Sequence, residues 1–243
     1  MQTLSIVVPA FNESRSIGEL LDRVRMVDLR SHGVVKEIIV VDDGSTDGTV
    51  AIARERSDVK VITMPVNRGK GSAVRRGIQE ASGDWILVQD ADLEYDPQDI
   101  HKMISAAKNG GFKAVYGSRN LRGEQKRRTL AFLYGKRDAQ YWGHYLGGVV
   151  LSLATLILYG RYLTDTVTGY KLYDASLVKG FDLQANGFEL DHEITANLLR
   201  RGIDIFEVPA SYQPRSWAEG KKIRAKDGFV ALWVLLRCRV RPR

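Results

Sequence analysis

Short apolar runs alternate with longer amphipathic segments through most of this chain. Apolar runs of this length, flanked by glycine, proline or acidic residues, are typical of buried strands, and the segments between them have helical periodicity. Strands are predicted at residues 4–9, 37–41, 59–64, 85–88, 113–116 and 203–209. The alternation predicts an α/β fold with a parallel, doubly wound sheet.

Three acidic residues, Asp90, Asp92 and Glu94, follow the predicted strand at residues 85–88. Alternate residues of an extended segment point the same way, so we expect all three to face one spot beyond the strand end, where open α/β sheets bind ligands. Carboxylates this close repel one another unless a cation lies among them, and oxygen ligands suit Mg²⁺ or Mn²⁺ bridging a diphosphate. For an isolated Asp-x-Asp pair, ordinary turn chemistry is the alternative.

The composition restricts the class of partner. The chain has 243 residues, 44% of them apolar, a net charge of +7 and a pI near 9.5. This charge indicates an anionic partner, which can be a nucleic acid, a phosphorylated substrate or an acidic membrane surface. The single cysteine, Cys238, excludes an internal disulfide and fits a reducing compartment. We expect no signal peptide, because residues 1–3 lead straight into a predicted strand, and no spanning helix, because no apolar run reaches roughly 20 residues.

Seven short segments occur in a characteristic order. They are VPAFNE at 8–13, VDDGSTD at 41–47, NRGKG at 67–71, DAD at 90–92, GSR at 117–119, TGYK at 168–171 and RSWAEGKK at 215–222. Together they resemble the family-2 glycosyltransferases of GT-A fold, in particular the polyprenyl-phosphate (dolichol-phosphate) mannosyl- and glucosyltransferases. The resemblance implies a Rossmann-like, mixed but mostly parallel sheet flanked by helices, with C-terminal amphipathic helices at a membrane interface. It divides the chain into a nucleotide-sugar half (1–118), an acceptor half (119–224) and a basic amphipathic tail (225–243).

The same resemblance implies an inverting transfer from a nucleotide sugar, of GDP-mannose or UDP-glucose type, with a divalent metal. Asp90, Asp92 and Glu94 match the metal positions, and Asp42 is interpreted as a turn former. Phe11 stands where tyrosine is commoner, so it keeps the aromatic surface but lacks the hydroxyl; a core role for it stays open. The matching nucleotide positions are Pro9, Phe11, Glu13, Asp43, Arg68, Lys70 and Asp90.

The acceptor decides whether a general base is needed. A sugar hydroxyl needs one, whereas a phosphate monoester, with a second pKa near 6, is already largely ionised and needs cations to hold it. Arginine forks suit phosphate oxygens, and the predicted acceptor-phosphate ligands are Arg119, Arg127, Arg128, Arg215 and Lys221. The predicted catalytic residues are Asp92, Arg119, Arg215 and Asp191.

Two alternatives remain open at this point. In the first, the acceptor is a hydroxyl and Asp191 is the base, since Glu189, Asp191 and Glu193 lie where relatives with such acceptors place one. The structural explanation of these acids is that a negative first turn of a helix interacts favourably with the helix dipole. In the second, the chain is a non-catalytic module that binds nucleotide or acidic lipid. His192 is interpreted as structural or exposed.

The apolar helix predicted at 144–159 and the basic tail at 229–243 combine two signals for an anionic membrane surface. We therefore expect a peripheral protein at the cytoplasmic face, with a membrane-anchoring partner or a homo-oligomer as further possibilities. Core packing or a dimer face is the alternative for these helices. No nucleic-acid partner is expected, because no aromatic and basic stacking platform is recognisable.

Overall fold

The computed structural model describes residues 1–121, 139–214 and 225–241, with side chains from residue 147 in the second range and from 227 in the third. The strands are β1 (Gln2–Ala10), β2 (Val34–Asp42), β3 (Val59–Thr63), β4 (Trp85–Val88), β5 (Ala114–Ser118), β6 (Lys171–Asp174) and β7 (Ile205–Pro209). The α-helices are α1 (Ile17–Met26), α2 (Thr49–Arg54), α3 (Lys70–Glu80), α4 (Ile100–Gly110), α5 (Ala139–Tyr159), α6 (Ala175–Lys179), α7 (Leu190–Arg200) and α8 (Ala225–Val240).

All seven strands form one sheet in the order β3-β2-β1-β4-β6-β5-β7. Strands β1 to β4 pair in parallel, as do β5 and β7, whereas β6 runs antiparallel to both β4 and β5. The expected mixed, mostly parallel sheet is therefore confirmed. The sequence pattern did not predict β6, because it has only four residues and begins with a lysine.

The antiparallel direction of β6 brings its first residue to the edge where its neighbours end. Lys171 is in register with Val88 of β4 and Tyr116 of β5. On the other side of the sheet, Ala10 at the end of β1 is in register with Asp42 at the end of β2. The loops after β1, β2, β4 and β5 and the loop before β6 consequently share one edge of the sheet.

Two apolar layers bury the sheet on both faces. In β1, Leu4, Ile6 and Val8 pack into one cluster with α1 and α4, while Val7 packs into a second with α3 and α7. This alternation is the period-two pattern of a strand, and burial on both faces explains why the strands read as continuous apolar runs.

A third, smaller cluster joins the last helix to the body of the protein. Leu151 of α5 and Ala196 of α7 meet Ala231, Val234 and Leu235 of α8 there. The tail helix therefore packs against α5 and α7. Within the described ranges, we find no helix that combines the length and the apolar character needed to cross a bilayer.

Candidate active site

The loops after β1 and β2 are joined by hydrogen bonds. Asn12, with a positive φ of 53°, accepts from the backbone N–H of Thr46 at 2.9 Å, and its own N–H donates to the hydroxyl of Ser45 at 2.9 Å. Asp47 accepts from the N–H of Thr49 at 3.0 Å. Burial opposes its charge, but hydrogen bonds from Thr49 and Ser14 lower the pKa of Asp47 to about 2. The two loops thus form one ordered wall.

The first predicted nucleotide residues lie at the end of β1, beside this wall. Pro9 is buried inside the strand and Phe11 is half-buried just beyond it. Glu13 is buried, and its carboxylate accepts from the hydroxyl of Ser16 at 3.0 Å. The structure therefore brings all three predicted residues to the expected edge.

Asp42 and Asp43, at the end of β2, accept hydrogen bonds from two different loops. Asp42 accepts from the N–H groups of Gly44 and Ser45 at 3.2 and 3.1 Å, which is the turn chemistry expected of it. Asp43 accepts from the N–H groups of Arg68 and Gly69 at 2.8 and 2.7 Å, one on each oxygen. Burial raises the pKa of Asp43. Asp43 thus positions the loop at residues 67–69, which the sequence did not predict. The side chain of Arg68 in this loop is exposed.

Glycine is required where this loop meets the chain before α7. A Cβ on Gly69, whose φ is +99°, would lie 2.5 Å from the carbonyl oxygen of Asn186, and one on Gly71 would lie 2.6 Å from that of Gly187. Real Cβ atoms do not approach so closely, so the NRGKG segment needs both glycines to pack here. The contact brings the start of α3 next to the start of α7.

An ion pair lies where these segments meet the end of β4. Lys70 Nζ is 2.6 Å from Asp90 Oδ1, and the two side chains are 18% and 21% exposed. Burial opposes the ammonium, but Asp90, Asp191 and Asp92 outweigh it and raise the pKa of Lys70. Burial also raises the pKa of Asp90. Attraction to Lys70 opposes this shift, whereas repulsion from Asp92 and Asp191 adds to it. Lys70 therefore stays charged, and Asp90 is the member of the pair whose charge is costly.

A second ion pair lies beside the first. Lys171, at the start of β6, is fully buried, and its Nζ lies 3.4 Å from Asp191 Oδ1 and 4.6 Å from the centre of the Tyr116 ring. Burial lowers the pKa of Lys171. Burial alone would raise the pKa of Asp191, but attraction to Lys171 and Lys70 outweighs burial and lowers this pKa. In the sequence, Lys171 is recognised only as the last residue of the TGYK segment at 168–171, and no role is predicted for it.

The acidic segment after β4 does not adopt the expected extended form. Leu93 has a positive φ of 62°, and Asp92 accepts from the N–H of Glu94 at 3.2 Å, as in a turn. The hydroxyl of Tyr212 donates to Glu94 at 2.7 Å. The extended chain from which a shared face was expected for Asp90, Asp92 and Glu94 is therefore not present. Across the described ranges, no group of three His, Cys, Asp or Glu side chains is arranged to hold a metal ion.

The remaining carboxylates still fit a divalent cation. Mg²⁺ keeps several waters and is usually bound by one or two carboxylates together with substrate phosphates rather than by an all-protein cage. Asp90 and Asp92 are half-buried and close enough that the charge of one raises the pKa of the other. A cation between them would relieve that repulsion, so the two residues suit a metal that shares its coordination with a diphosphate.

Arg119 is anchored at the end of β5. Its Nε and Nη2 each lie 2.7 Å from an oxygen of Asp165, a carboxylate whose side chain is 1% exposed. The guanidinium also lies over the ring of Tyr212, 5.0 Å from its centre. Since a guanidinium has five N–H donors, this bidentate contact fixes its direction and leaves other donors for an anion. Asp165 is a site residue that the sequence analysis did not identify.

The other predicted phosphate ligands cannot be placed relative to Arg119. Arg127 and Arg128 lie in the range 122–138, and Arg215 and Lys221 lie in the range 215–224, both outside the described residues. Their roles remain predictions.

The acidic residues at the start of α7 have different tasks. Glu189 accepts from the N–H of Gly187 at 3.0 Å, and buried Glu193 accepts from the N–H of Ala185 at 2.8 Å, so both hold the preceding loop. Asp191, in contrast, pairs with Lys171, and its charge also interacts with that of Lys70. His192 is buried beside it, and burial lowers the pKa of His192 to about 4, which keeps the ring neutral and supports a structural role.

The sheet order can be compared with solved structures, which show the class of fold. The crystal structure of glucosyl-3-phosphoglycerate synthase from Mycobacterium tuberculosis, in complex with Mn²⁺, uridine diphosphate and phosphoglyceric acid, superposes with a TM-score of 0.71 at 22% identity. The alignment covers 100% of this chain and 80% of that one. The fold is therefore GT-A, as the sequence motifs implied.

The sequence profile described as "Glycosyl transferase family 2" matches residues 5–146, and the chain belongs to that family. Dolichol-phosphate mannosyltransferase from Pyrococcus furiosus is 34% identical over 90% of this chain and 58% of its own length. Dolichyl-phosphate beta-glucosyltransferase from Saccharomyces cerevisiae is 30% identical over 86% of this chain and 66% of its own length. The chain thus spans little more than half of the Pyrococcus protein.

Proposed function

We propose that this chain transfers a sugar from a nucleotide sugar to a polyprenyl phosphate, with the acceptor phosphate as nucleophile and no obligatory general base. The observation that carries the proposal is the pairing of Asp191 with Lys171. A general base is most effective when its pKa is near the working pH, and the two lysines lower the pKa of Asp191 further below that range. A phosphate monoester, largely ionised near pH 7, does not need that base.

The donor would occupy the wall formed by the loops after β1 and β2. Pro9, Phe11 and Glu13 would border the nucleoside there, and Asp43 holds the NRGKG loop in position. The diphosphate would then meet Lys70 at the end of β4, a cation that remains charged at neutral pH. The Mycobacterium protein was crystallised with uridine diphosphate, which supports a nucleotide as the ligand proposed for this chain.

Asp90 and Asp92 would hold Mg²⁺ or Mn²⁺ against the diphosphate. When bound, such an ion supplies Lewis-acid stabilisation of the negative charge that develops on the leaving group. Lys70 supports the same charge from the protein side, because its ammonium already lies 2.6 Å from Asp90. The carboxylate of Asp191 repels anions and would keep the diphosphate on the side of Lys70.

Arg119 would receive the phosphate of the acceptor lipid. Asp165 and the ring of Tyr212 hold its guanidinium before any ligand binds, which reduces the ordering cost of binding. Arg127, Arg128, Arg215 and Lys221 would complete the anion site. Positioning two anions next to each other by fixed cations is the main catalytic demand when the nucleophile is already ionised.

The experiment is a donor screen combined with an acid-to-amide series. GDP-mannose, UDP-glucose and UDP-GlcNAc are each incubated with polyprenyl phosphate and Mg²⁺ or Mn²⁺, and the sugar-phospholipid product is measured. Asp92→Asn should reduce transfer by more than a hundredfold, whereas Asp191→Asn should retain at least about a tenth. Asp204→Asn, at an exposed acid paired with Arg161, is the matched control.

A base role for Asp191 would contradict the proposal. In that case Asp191→Asn would abolish transfer while binding of the nucleotide stayed normal, and a hydroxyl acceptor would then be the better candidate. The proposal also fails if no donor yields product with a polyprenyl phosphate although the protein is folded by circular dichroism.

A further inference from the structure

The loop between α6 and α7, at residues 180–189, packs against the start of α3. The N–H of Ser72 donates to the carbonyl oxygen of Asn186 at 3.0 Å, beside the close glycine contacts described above. Arg75, three residues further along α3, donates to the carbonyl oxygen of Gln184 and to the side-chain oxygen of Asn186, both at 3.0 Å. The position of the α6–α7 loop and that of the first turn of α3 therefore depend on each other.

That first turn carries Lys70, the cation that would meet the donor diphosphate. Its ammonium lies 2.6 Å from Asp90 and 5.8 Å from the centre of the Phe188 ring, which belongs to the α6–α7 loop. A displacement of the loop would therefore move both the backbone that carries this ammonium and an aromatic ring beside it. Since binding groups need to be held to within roughly 0.5 Å of their working positions, the loop contributes to the diphosphate site.

A buried carboxylate holds the other side of the loop. Glu193 of α7 has a side chain that is 1% exposed, and its Oε2 accepts from the N–H groups of Gln184 and Ala185 at 2.9 and 2.8 Å. Hydrogen bonds with one charged partner are stronger than bonds between neutral groups. Glu193 thus fixes two consecutive peptide groups directly before the residue that contacts α3.

The second oxygen of this carboxylate points to the tail helix. Glu193 Oε1 lies 3.4 Å from Nη2 of Arg237 in α8, and the arginine side chain is 41% exposed. A carboxylate that is buried so completely needs a compensating charge as well as hydrogen bonds. Helix α8 therefore supplies a counter-charge to the residue that holds the α6–α7 loop.

A second arginine of the tail contacts the same loop in a different way. Arg241, just after α8, lies 2.8 Å from Asp182, a carboxylate that is 71% exposed. Asp182 accepts from the side chain of Gln184 at 3.3 Å rather than from the backbone of the loop. Exposed pairs of this kind contribute little. The two arginines thus form a matched pair of contacts, of which Arg237 alone involves the carboxylate that fixes the loop backbone.

We propose that Glu193 and Arg237 are positioning residues for donor binding. The arginine of the tail helix fixes the carboxylate, the carboxylate fixes the α6–α7 loop, and the loop fixes the turn that carries Lys70. Neither of the two residues would touch the donor itself. The inference rests on the proposed function in one respect, that Lys70 meets the diphosphate. It makes the seating of α8 on α7 a condition for tight donor binding.

Binding of UDP and of GDP with Mn²⁺, measured by titration calorimetry, tests the proposal without an acceptor. Arg237→Gln should weaken binding about fivefold, as expected for the loss of a partly exposed ion pair. Glu193→Ala should weaken it by about tenfold or more, because two N–H groups lose their acceptor. Arg241→Gln is the matched control and should bind like the wild type.

Two further variants separate positioning from a general loss of structure. Arg237→Lys keeps a cation at this single contact and should restore binding to within about twofold of the wild type. The double variant of Arg237→Gln with Glu193→Ala should bind no more weakly than Glu193→Ala alone, because both residues act through the same loop. Additive losses in the double variant would overturn the proposal.

Hydrogen exchange measures the position of the loop without any ligand. The N–H of Ser72, which donates to Asn186, should exchange about fivefold faster in Arg237→Gln than in Arg241→Gln. If Arg237 served only to attach the tail helix, the melting temperature of Arg237→Gln would fall. Exchange at Ser72 and nucleotide affinity of the folded protein would then match the control, and this result would overturn the proposal.

Failure of the proposed function gives a different pattern. A wild-type protein that binds neither nucleotide would reject the donor role of Lys70, and this inference with it. A wild-type protein that binds nucleotide, loses affinity in Arg237→Gln and yet transfers no sugar to polyprenyl phosphate would reject the proposed acceptor. The positioning role of Glu193 and Arg237 would stand in that case.

Discussion

The end of β2 and the start of β6 hold carboxylates at the same edge of the sheet in different ways. Asp42 and Asp43, at β2, accept from backbone N–H groups of neighbouring loops. Near β6, Asp165 and Asp191 pair instead with Arg119 and with Lys171. Backbone donors fix a loop without bringing a net positive charge, whereas each buried ion pair has two charges that depend on each other. This edge of the sheet therefore combines loops that are fixed by backbone hydrogen bonds with a set of coupled charges.

The largest effect is expected where a buried pair loses one partner. Asp165→Asn should lower the free energy of unfolding by about 3–5 kcal/mol, because Arg119 would keep its charge in a largely buried place without a carboxylate. Urea unfolding measures the difference. Asp204→Asn breaks an exposed pair with Arg161 and should cost less than about 1 kcal/mol. Equal costs for the two variants would remove the contrast between the two regions.

The next effect is expected at Gly169, which lies against the ion pair of Lys70 and Asp90. A Cβ on Gly169 would lie 2.5 Å from Asp90 Oδ2 and 3.1 Å from Lys70 Nζ. Gly169→Ala should therefore displace the Asp90 carboxylate and reduce sugar transfer by about a hundredfold, as a shift of 1 Å in a catalytic site does. Steady-state kinetics and a melting curve measure it. Gly147→Ala, where a Cβ would meet no atom of the described residues within 4 Å, serves as the control. Normal transfer by Gly169→Ala would show that Asp90 is not positioned as proposed.

His192 gives the β6 region a dependence on pH. Its pKa is lowered from 6.5 to about 4 by burial, so between these values the unfolded chain binds a proton that the folded protein does not. The stability that the neutral ring contributes is present above pH 6.5 and is lost as the pH falls toward 4. Between pH 7 and 4.5 this amounts to about 2–3 kcal/mol.

Unfolding of wild type and of His192→Gln across this range isolates the contribution, because the other titrating groups are common to both proteins. The wild type should lose more stability than the variant on acidification. Parallel pH curves for the two proteins would contradict the assignment of a buried, neutral histidine beside Lys171 and Asp191.

A smaller effect is expected at the end of β2. Asp43→Ala leaves the N–H groups of Arg68 and Gly69 without their acceptor, at a cost of about 1–3 kcal/mol. Because no buried charge is left behind, this loss should be smaller than that of Asp165→Asn. Hydrogen exchange at the two amides should accelerate, while Glu55→Ala, at an exposed acid, should leave them unchanged. Unchanged exchange in Asp43→Ala would show that the loop is held by other contacts.

Much of the fold could be predicted because strand and turn signals are local. The runs that became β1, β2 and β4 are buried on both faces, and this burial is visible as continuous apolar sequence. Asp42 acts on the N–H groups two and three residues later, so its turn role could also be recognised. The strand β6 was missed because its four residues gain their place from β4 and β5, which are distant in the chain.

The site shows the same limit. The shared face of Asp90, Asp92 and Glu94 assumed an extended chain, and the left-handed Leu93 together with the contact from Tyr212 changed it. Asp165 was missed because it lies 46 residues from the arginine that it orients.

The amino-acid sequence by itself determined the class of fold, the approximate positions of six of the seven described strands and the residue types at the charged edge, because these follow from periodicity and from contacts between near neighbours in the chain. Only the tertiary structure decided which charges meet. Lys171 with Asp191, and Arg119 with Asp165, are pairs of residues 20 and 46 positions apart. Coulomb attraction and hydrogen bonding depend on separation in space, and the packing of the sheet sets that separation.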